Sequence, residues 1–215
     1  MALNPIITEL TTAATDVLIA LVALSCAAAL NRHRTANPWR VLVWTWVFGL
    51  LVFASALGAL AHGLELAPAL RAWLWRPLYL SLGLVVAMFL VAAISDFIGE
   101  KAARVAVLPL LVLAFGFFLV TQLSTGSFLV FVAYEALAML AALGMYLSLA
   151  LRRQLAGAGS VAAGILLNLA AVAIQAVDSI AVTIIVPFDH NGVFHLVQVA
   201  ALIVLTAGLA RSMDR

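Results

Sequence analysis

Apolar residues run along this chain in seven stretches long enough to cross a bilayer, roughly 10–31, 39–66, 77–98, 103–122, 127–150, 158–187 and 191–211. A helix needs about 20 apolar residues to span the hydrocarbon core. Short polar groups and prolines separate the stretches. Pro38, Pro68, Pro77 and Pro187 fall at or near boundaries, where a missing N–H costs little. Pro109 falls inside the fourth stretch and predicts a kink there. The connections are short, so the pattern predicts an all-α, seven-helix transmembrane bundle, a single domain over 1–215 with consecutive helices antiparallel. The first stretch has no basic region before it and no convincing cleavage site after it, and reads as a retained helix.

Composition agrees. The chain is 67% hydrophobic and 9% charged, with a mean hydropathy of +1.22. Soluble domains are about 45–50% apolar and about 25% charged. A soluble fold, a disordered chain, a nucleic-acid binder and a disulfide scaffold are excluded. Cys26 is the single cysteine and fills space within the first helix. The few charges are informative by position. Arg32, Arg34, Arg40, Lys101, Arg104, Arg152, Arg153, Arg211 and Arg215 fall on one side of the predicted bundle, and Arg71 and Arg76 on the other. The positive-inside rule then puts the N-terminus outside and the C-terminus in the cytoplasm. In a bacterial inner membrane, outside is the periplasm. Trp39, Trp73, Trp75 and Tyr79 fall near predicted interfaces and read as anchors. Lys101 is the only lysine and lies far from the seventh span, which argues against a retinal Schiff base there.

The nine acids divide unevenly. Glu9, Glu100 and Asp214 fall in tails or loops, and Asp96 reads as interfacial beside Lys101. Asp189 or Asn191 suits the N-cap of the last helix. Asp16, Glu135 and Asp178 fall within spans. Glu135 lies about 12 Å and Asp178 about 13 Å from the outer ends of their helices at 1.5 Å per residue. An intramembrane carboxylate costs at least about 2.5–3.5 kcal/mol to insert. All three lie toward the outer ends, as do His62, His190 and His195. Polar residues extend the layer along single helix faces: Thr12 and Asp16; Ser55 and His62; Asn168, Gln175 and Asp178; Asn191, His195 and Gln198. Such faces point inward, because lipid cannot satisfy them. Glu65 and His190 have a plainer reading as surface residues of external loops.

Imidazole with carboxylate suits zinc and other first-row metals. His62 and His195, joined by His190 or a carboxylate such as Asp16, supply a candidate ligand set with a position left for water. Glu135 and Asp178 are candidate general bases. The plain alternative is that these groups pair across helices and hold the bundle together.

The run from Asp189 to Gln198, with Phe194–His195 at its centre, resembles the start of the seventh helix in the CREST superfamily, the group of alkaline ceramidases and adiponectin/progestin receptors. The resemblance implies seven helices and a zinc held by one histidine at the end of helix two and two on helix seven. It further implies a helix-two Ser and a helix-three Asp beside the metal. His62 and His195 match two of the histidines, and Ser55 resembles the Ser, although it stands seven residues before its histidine instead of four. The chain departs from the pattern at Asn191, where the other helix-seven histidine would stand, and early in span three, where Ser81 is the nearest polar group.

These readings converge on a zinc-dependent membrane hydrolase of an amide or ester in a lipid-like substrate, with catalytic candidates Asp178, Glu135 and Ser55 and metal candidates His62, His195, His190 and Asp16. A proton or cation transporter using the same acids and histidines is the second reading, and a non-catalytic sensor the third. Membrane lipids are the expected surroundings, and the oligomeric state stays open.

Overall fold

In the computed structural model, which describes residues 2–123 and 127–214, seven α-helices account for nearly the whole chain. They are α1 (Ile7–Asn31), α2 (Pro38–Gly63), α3 (Pro68–Phe97), α4 (Glu100–Leu123), α5 (Ser127–Leu151), α6 (Ala158–Gln175) and α7 (His190–Met213). All seven are long and apolar enough to cross a membrane, and the chain is an integral membrane protein by that measure. Arg215, counted above among the basic residues, lies outside the described residues.

Each helix packs on the next, and α1 closes the ring against α7. Because α3 also touches α5, α4 is displaced outward. Its outer face is apolar and open, with Leu108 70% and Leu123 88% exposed, as suits a helix facing lipid. Cys26 is buried, as its position suggested.

Two boundaries differ from the sequence reading. Helix α3 begins at Pro68, nine residues early, and runs through Pro77. A proline at the first helical turn loses no hydrogen bond, so Pro68 opens the helix. Pro109 likewise lies within a continuous α4. At the other boundary, α6 ends at Gln175 instead of 187. The following segment forms a short hairpin of strands β1 (Val182–Thr183) and β2 (Pro187–Phe188). This segment is rich in β-branched residues, which pack well in extended chain. A short apolar run does not by itself distinguish helix from strand.

The small residues of 157–164 pack within the chain, against α7. A Cβ built on Gly208 would lie 2.7 Å from the Val161 backbone nitrogen, and one on Gly164 would lie 2.7 Å from Leu205 Cβ. Gly157 has φ of +76° and its carbonyl lies against Gly208. The two backbones therefore approach in the small-residue mode of membrane helices. Gly208→Val is expected to destabilise the protein by about 1–3 kcal/mol, the cost of overpacking. Thermal unfolding in detergent measures it, and an unchanged midpoint would contradict this packing.

At the end of the bundle holding the 32–37 loop, α2, α3, α5 and α7 meet in a polar knot. Arg40 Nε donates to Asp96 Oδ1 at 2.7 Å and Nη2 to Asp96 Oδ2 at 3.1 Å. The Tyr146 hydroxyl donates to Asp96 Oδ2 at 2.9 Å. Arg40 also donates to the Ser212 carbonyl and hydroxyl, at 3.1 and 2.7 Å. The Asp96 side chain is 2% exposed, so it is a buried ion-pair member and not the interfacial residue its place beside Lys101 suggested.

Candidate functional site

At the opposite end of the ring the helices separate around a cavity of about 560 Å³. Its walls are polar toward α1, α6 and α7 and aromatic toward α3 and α5, where Trp75, Tyr79, Phe128 and Phe131 line it. Two of the four residues read as interfacial anchors are therefore cavity walls: Tyr79 is buried, and Trp75 meets His62 edge-on at 5.6 Å between ring centroids. Trp39 instead lies under the Arg104 guanidinium at 4.1 Å, while Trp73 is exposed.

The mouth is held by local structure on three sides. The N-terminal segment pairs with the end of α2: Leu3 bridges Leu64, and Asn4 Nδ2 donates to the His62 carbonyl at 2.9 Å. The hairpin after α6 is tied to α1, where the Thr11 hydroxyl donates to the Pro187 carbonyl at 2.9 Å. Asp189 is the N-cap of α7, accepting from the Gly192 N–H at 2.9 Å. Burial opposes ionisation of Asp189, but hydrogen bonds from Gly192, Asn191 and Thr12 outweigh it and hold the carboxyl below its ordinary range.

His62 Nδ1 stands 2.7 Å from Glu9 Oε2. An ionised carboxylate only accepts, so this contact places a proton on Nδ1. His195 Nδ1 stands 2.9 Å from the Thr15 hydroxyl. That hydroxyl also lies 2.8 Å from the Thr12 carbonyl, and where it donates there it accepts from the imidazole, which then carries its proton on Nδ1. In the neutral Nδ1–H form of either ring the free lone pair is on Nε2. His195 Nε2 faces Asp16 Oδ1 at 3.7 Å, too far for a hydrogen bond. With His195 in that form and Asp16 ionised, two acceptors face each other inside the protein. Asp16 is 5% exposed, and its second oxygen, Oδ2, is buried with no hydrogen-bond partner. The carboxylate rests on Gly58, where a Cβ would come within 2.7 Å of Oδ2. Gly58 lies one turn before His62 on α2, so Asp16, His62 and His195 share one corner of the cavity.

The other residues singled out from sequence take different places. Glu135 is buried on α5 and accepts from Asn168 Nδ2 at 2.9 Å. Ser55 is buried in the α2 wall of the cavity. Asp178 is not within a helix: it lies in the loop after α6 with its side chain 96% exposed, and only reaches the cavity rim. His190 Nε2 faces Asp178 Oδ1 at 3.7 Å and stands at the mouth, apart from the Asp16–His195 contact. The acid that sequence reasoning passed over is Glu9. Its signal was there, because Glu9, Thr12 and Asp16 share the spacing of one helix face once α1 starts at Ile7.

Among the described residues, no three His, Cys, Asp or Glu side chains are gathered closely enough to hold a metal ion as they stand. The donor chemistry nevertheless suits one. Metal-bound imidazoles carry their other N–H to a carboxylate or other acceptor, as both rings do here. Two ligands about 2.1 Å from a tetrahedral zinc lie about 3.4 Å apart, near the 3.7 Å between His195 Nε2 and Asp16 Oδ1.

Fold and cavity define a polytopic membrane protein with a polar site enclosed at one end of its helix ring. The chain belongs to the family of unknown function DUF6962, whose model matches residues 11–214. No curated protein and no solved structure matches it, and the comparisons give no support to the CREST resemblance.

Proposed function

We propose that the protein is a metal-dependent membrane hydrolase that takes an amphipathic, lipid-like amide or ester into this cavity, with its reacting group at Asp16, His62 and His195. The observation that carries the reading is His195 Nε2 facing Asp16 Oδ1 at 3.7 Å beside the buried, unpartnered Asp16 Oδ2. A buried carboxylate with an orphaned oxygen beside an imidazole acceptor calls for a cation at that point. His62 Nε2, His195 Nε2 and Asp16 would hold it. By donor type zinc is the first choice. When bound, such an ion supplies Lewis acidity toward water and a carbonyl oxygen.

The chain's own residues do the rest. Glu9 and Thr15 fix the ring orientation of the two histidines. The aromatic wall accepts an acyl or alkyl chain and keeps bulk water out. An apolar block around Trp44, Phe48 and Phe89 lies between the cavity and the Arg40–Asp96 knot, which supports a closed reaction chamber over a conduction path. By the distribution of basic residues, the cavity end faces the periplasm of a bacterial inner membrane.

Protein purified without chelator is expected to carry about one equivalent of metal, as a folded ligand set would retain. His62→Ala and His195→Ala should each lose it, together with hydrolysis of long-chain amides or esters. A parent protein that takes up no zinc when offered it, and turns over none of these substrates, would sink the reading.

A further inference from the structure

The charge of the cavity lining is one-sided. Asp16, Glu135 and Asp178 line it, and none of its lining residues is Lys or Arg. Arg71 and Arg76, the two cations at this end of the bundle, do not contribute to the wall. Asp16 has imidazoles beside it, and Asp178 has water. Glu135 has neither. It is 5% exposed, its hydrogen-bond partner is the neutral amide of Asn168, and no cation pairs with it among the described residues. A buried carboxyl without a cation is costly to ionise in a membrane interior, and an incoming cation removes that cost.

A second group points the same way. Gln175 is 6% exposed, and its Oε1 is buried without a partner. Its orientation is set by a relay. Asp189 only accepts, so Asn191 Nδ2 turns toward Asp189 Oδ2 at 3.3 Å. That leaves Asn191 Oδ1 facing Gln175, whose Nε2 donates to it, and Oε1 is turned away as a free acceptor. The polar wall therefore offers acceptors, at Glu135 on α5 and at Gln175 on α6, and calls for donors from whatever enters. Beside Glu135, Phe128 and Phe131 of α5 and Trp75 and Tyr79 of α3 give the cavity an aromatic surface that suits an alkyl chain.

We propose that the cavity selects a cationic amphiphile, a long-chain molecule whose head carries a protonated primary amine that pairs with Glu135, with a further N–H or O–H reaching Gln175, and that it rejects heads bearing phosphate or carboxylate. The proposal shares with the hydrolase reading the assumption that this cavity is the binding site. It does not depend on metal or on turnover.

Binding is measured on the parent protein in nanodiscs with three probes of one chain length: dodecylamine, dodecanol and dodecyl phosphate. The amine is expected to bind at least about tenfold more tightly than the phosphate. Glu135→Gln keeps the shape and the Asn168 contact and removes the charge. It should weaken the amine by about tenfold and leave dodecanol within about twofold. Partition into the lipid is common to parent and variant and cancels in that comparison. Gln175→Glu should tighten the amine, and carries the test where Glu135→Gln does not accumulate in membranes. A phosphate probe that binds as well as the amine, or an amine affinity that neither substitution moves, overturns the proposal. Failure of hydrolysis alone leaves it standing, and failure of this discrimination alone leaves the hydrolase reading standing.

Discussion

Asp96→Ala is expected to lower the stability of the bundle by about 3–5 kcal/mol, the range for removing one partner of a buried ion pair. The substitution leaves Arg40 with two donors facing nothing and frees the Tyr146 hydroxyl. The guanidinium keeps only its bonds to Ser212. Four helices meet at this carboxylate, so the loss propagates to the packing of α2, α3, α5 and α7. The cost comes chiefly from the abandoned charge, and this separates the explanation from simple loss of contacts. Pairing Asp96→Ala with Arg40→Met should therefore cost less than the sum of the two single changes. Reversible unfolding in mixed micelles measures all three. Strict additivity would show that the knot is not a coupled unit.

Gly58→Val is expected to abolish metal retention and hydrolysis while the protein still inserts as seven helices. Position 58 has no space for a side chain: a Cβ there lies 2.7 and 2.8 Å from the two Asp16 oxygens. The atoms in the way are the end of the Asp16 side chain, so the added bulk is relieved by turning that carboxylate away from His195. Overpacking of this kind costs roughly 1–3 kcal/mol in stability. Metal content and activity on detergent-purified protein, read beside helix content by circular dichroism, separate a displaced carboxylate from a misfolded chain. Retained metal with full activity would show that Asp16 is not held to its place by Gly58.

The sequence was informative about spans because hydropathy is a one-dimensional property: a helix in lipid must be apolar over its length wherever its neighbours lie. For the same reason it placed Asp16, His62, His195 and Glu135 at one end of the bundle, since depth follows from counting residues along a helix. It misjudged Asp178, because the run after Gln175 is apolar enough to continue a span although its β-branched residues form a hairpin. It also passed over Asp96 and Glu9. Each lies at a helix end, where a charge meets no objection from lipid, and only the partner across the bundle gives it a role.

Seven apolar helices, their antiparallel order and a polar layer near one end were determined by the chain alone, because burial in lipid acts on each segment independently. Which groups face each other was decided by the tertiary structure. Asp16 meets His195 only because α1 closes the ring against α7, and its carboxylate rests on α2 near His62 only because Gly58 has no side chain there. Those contacts join residues distant along the chain, and no spacing within one helix encodes them.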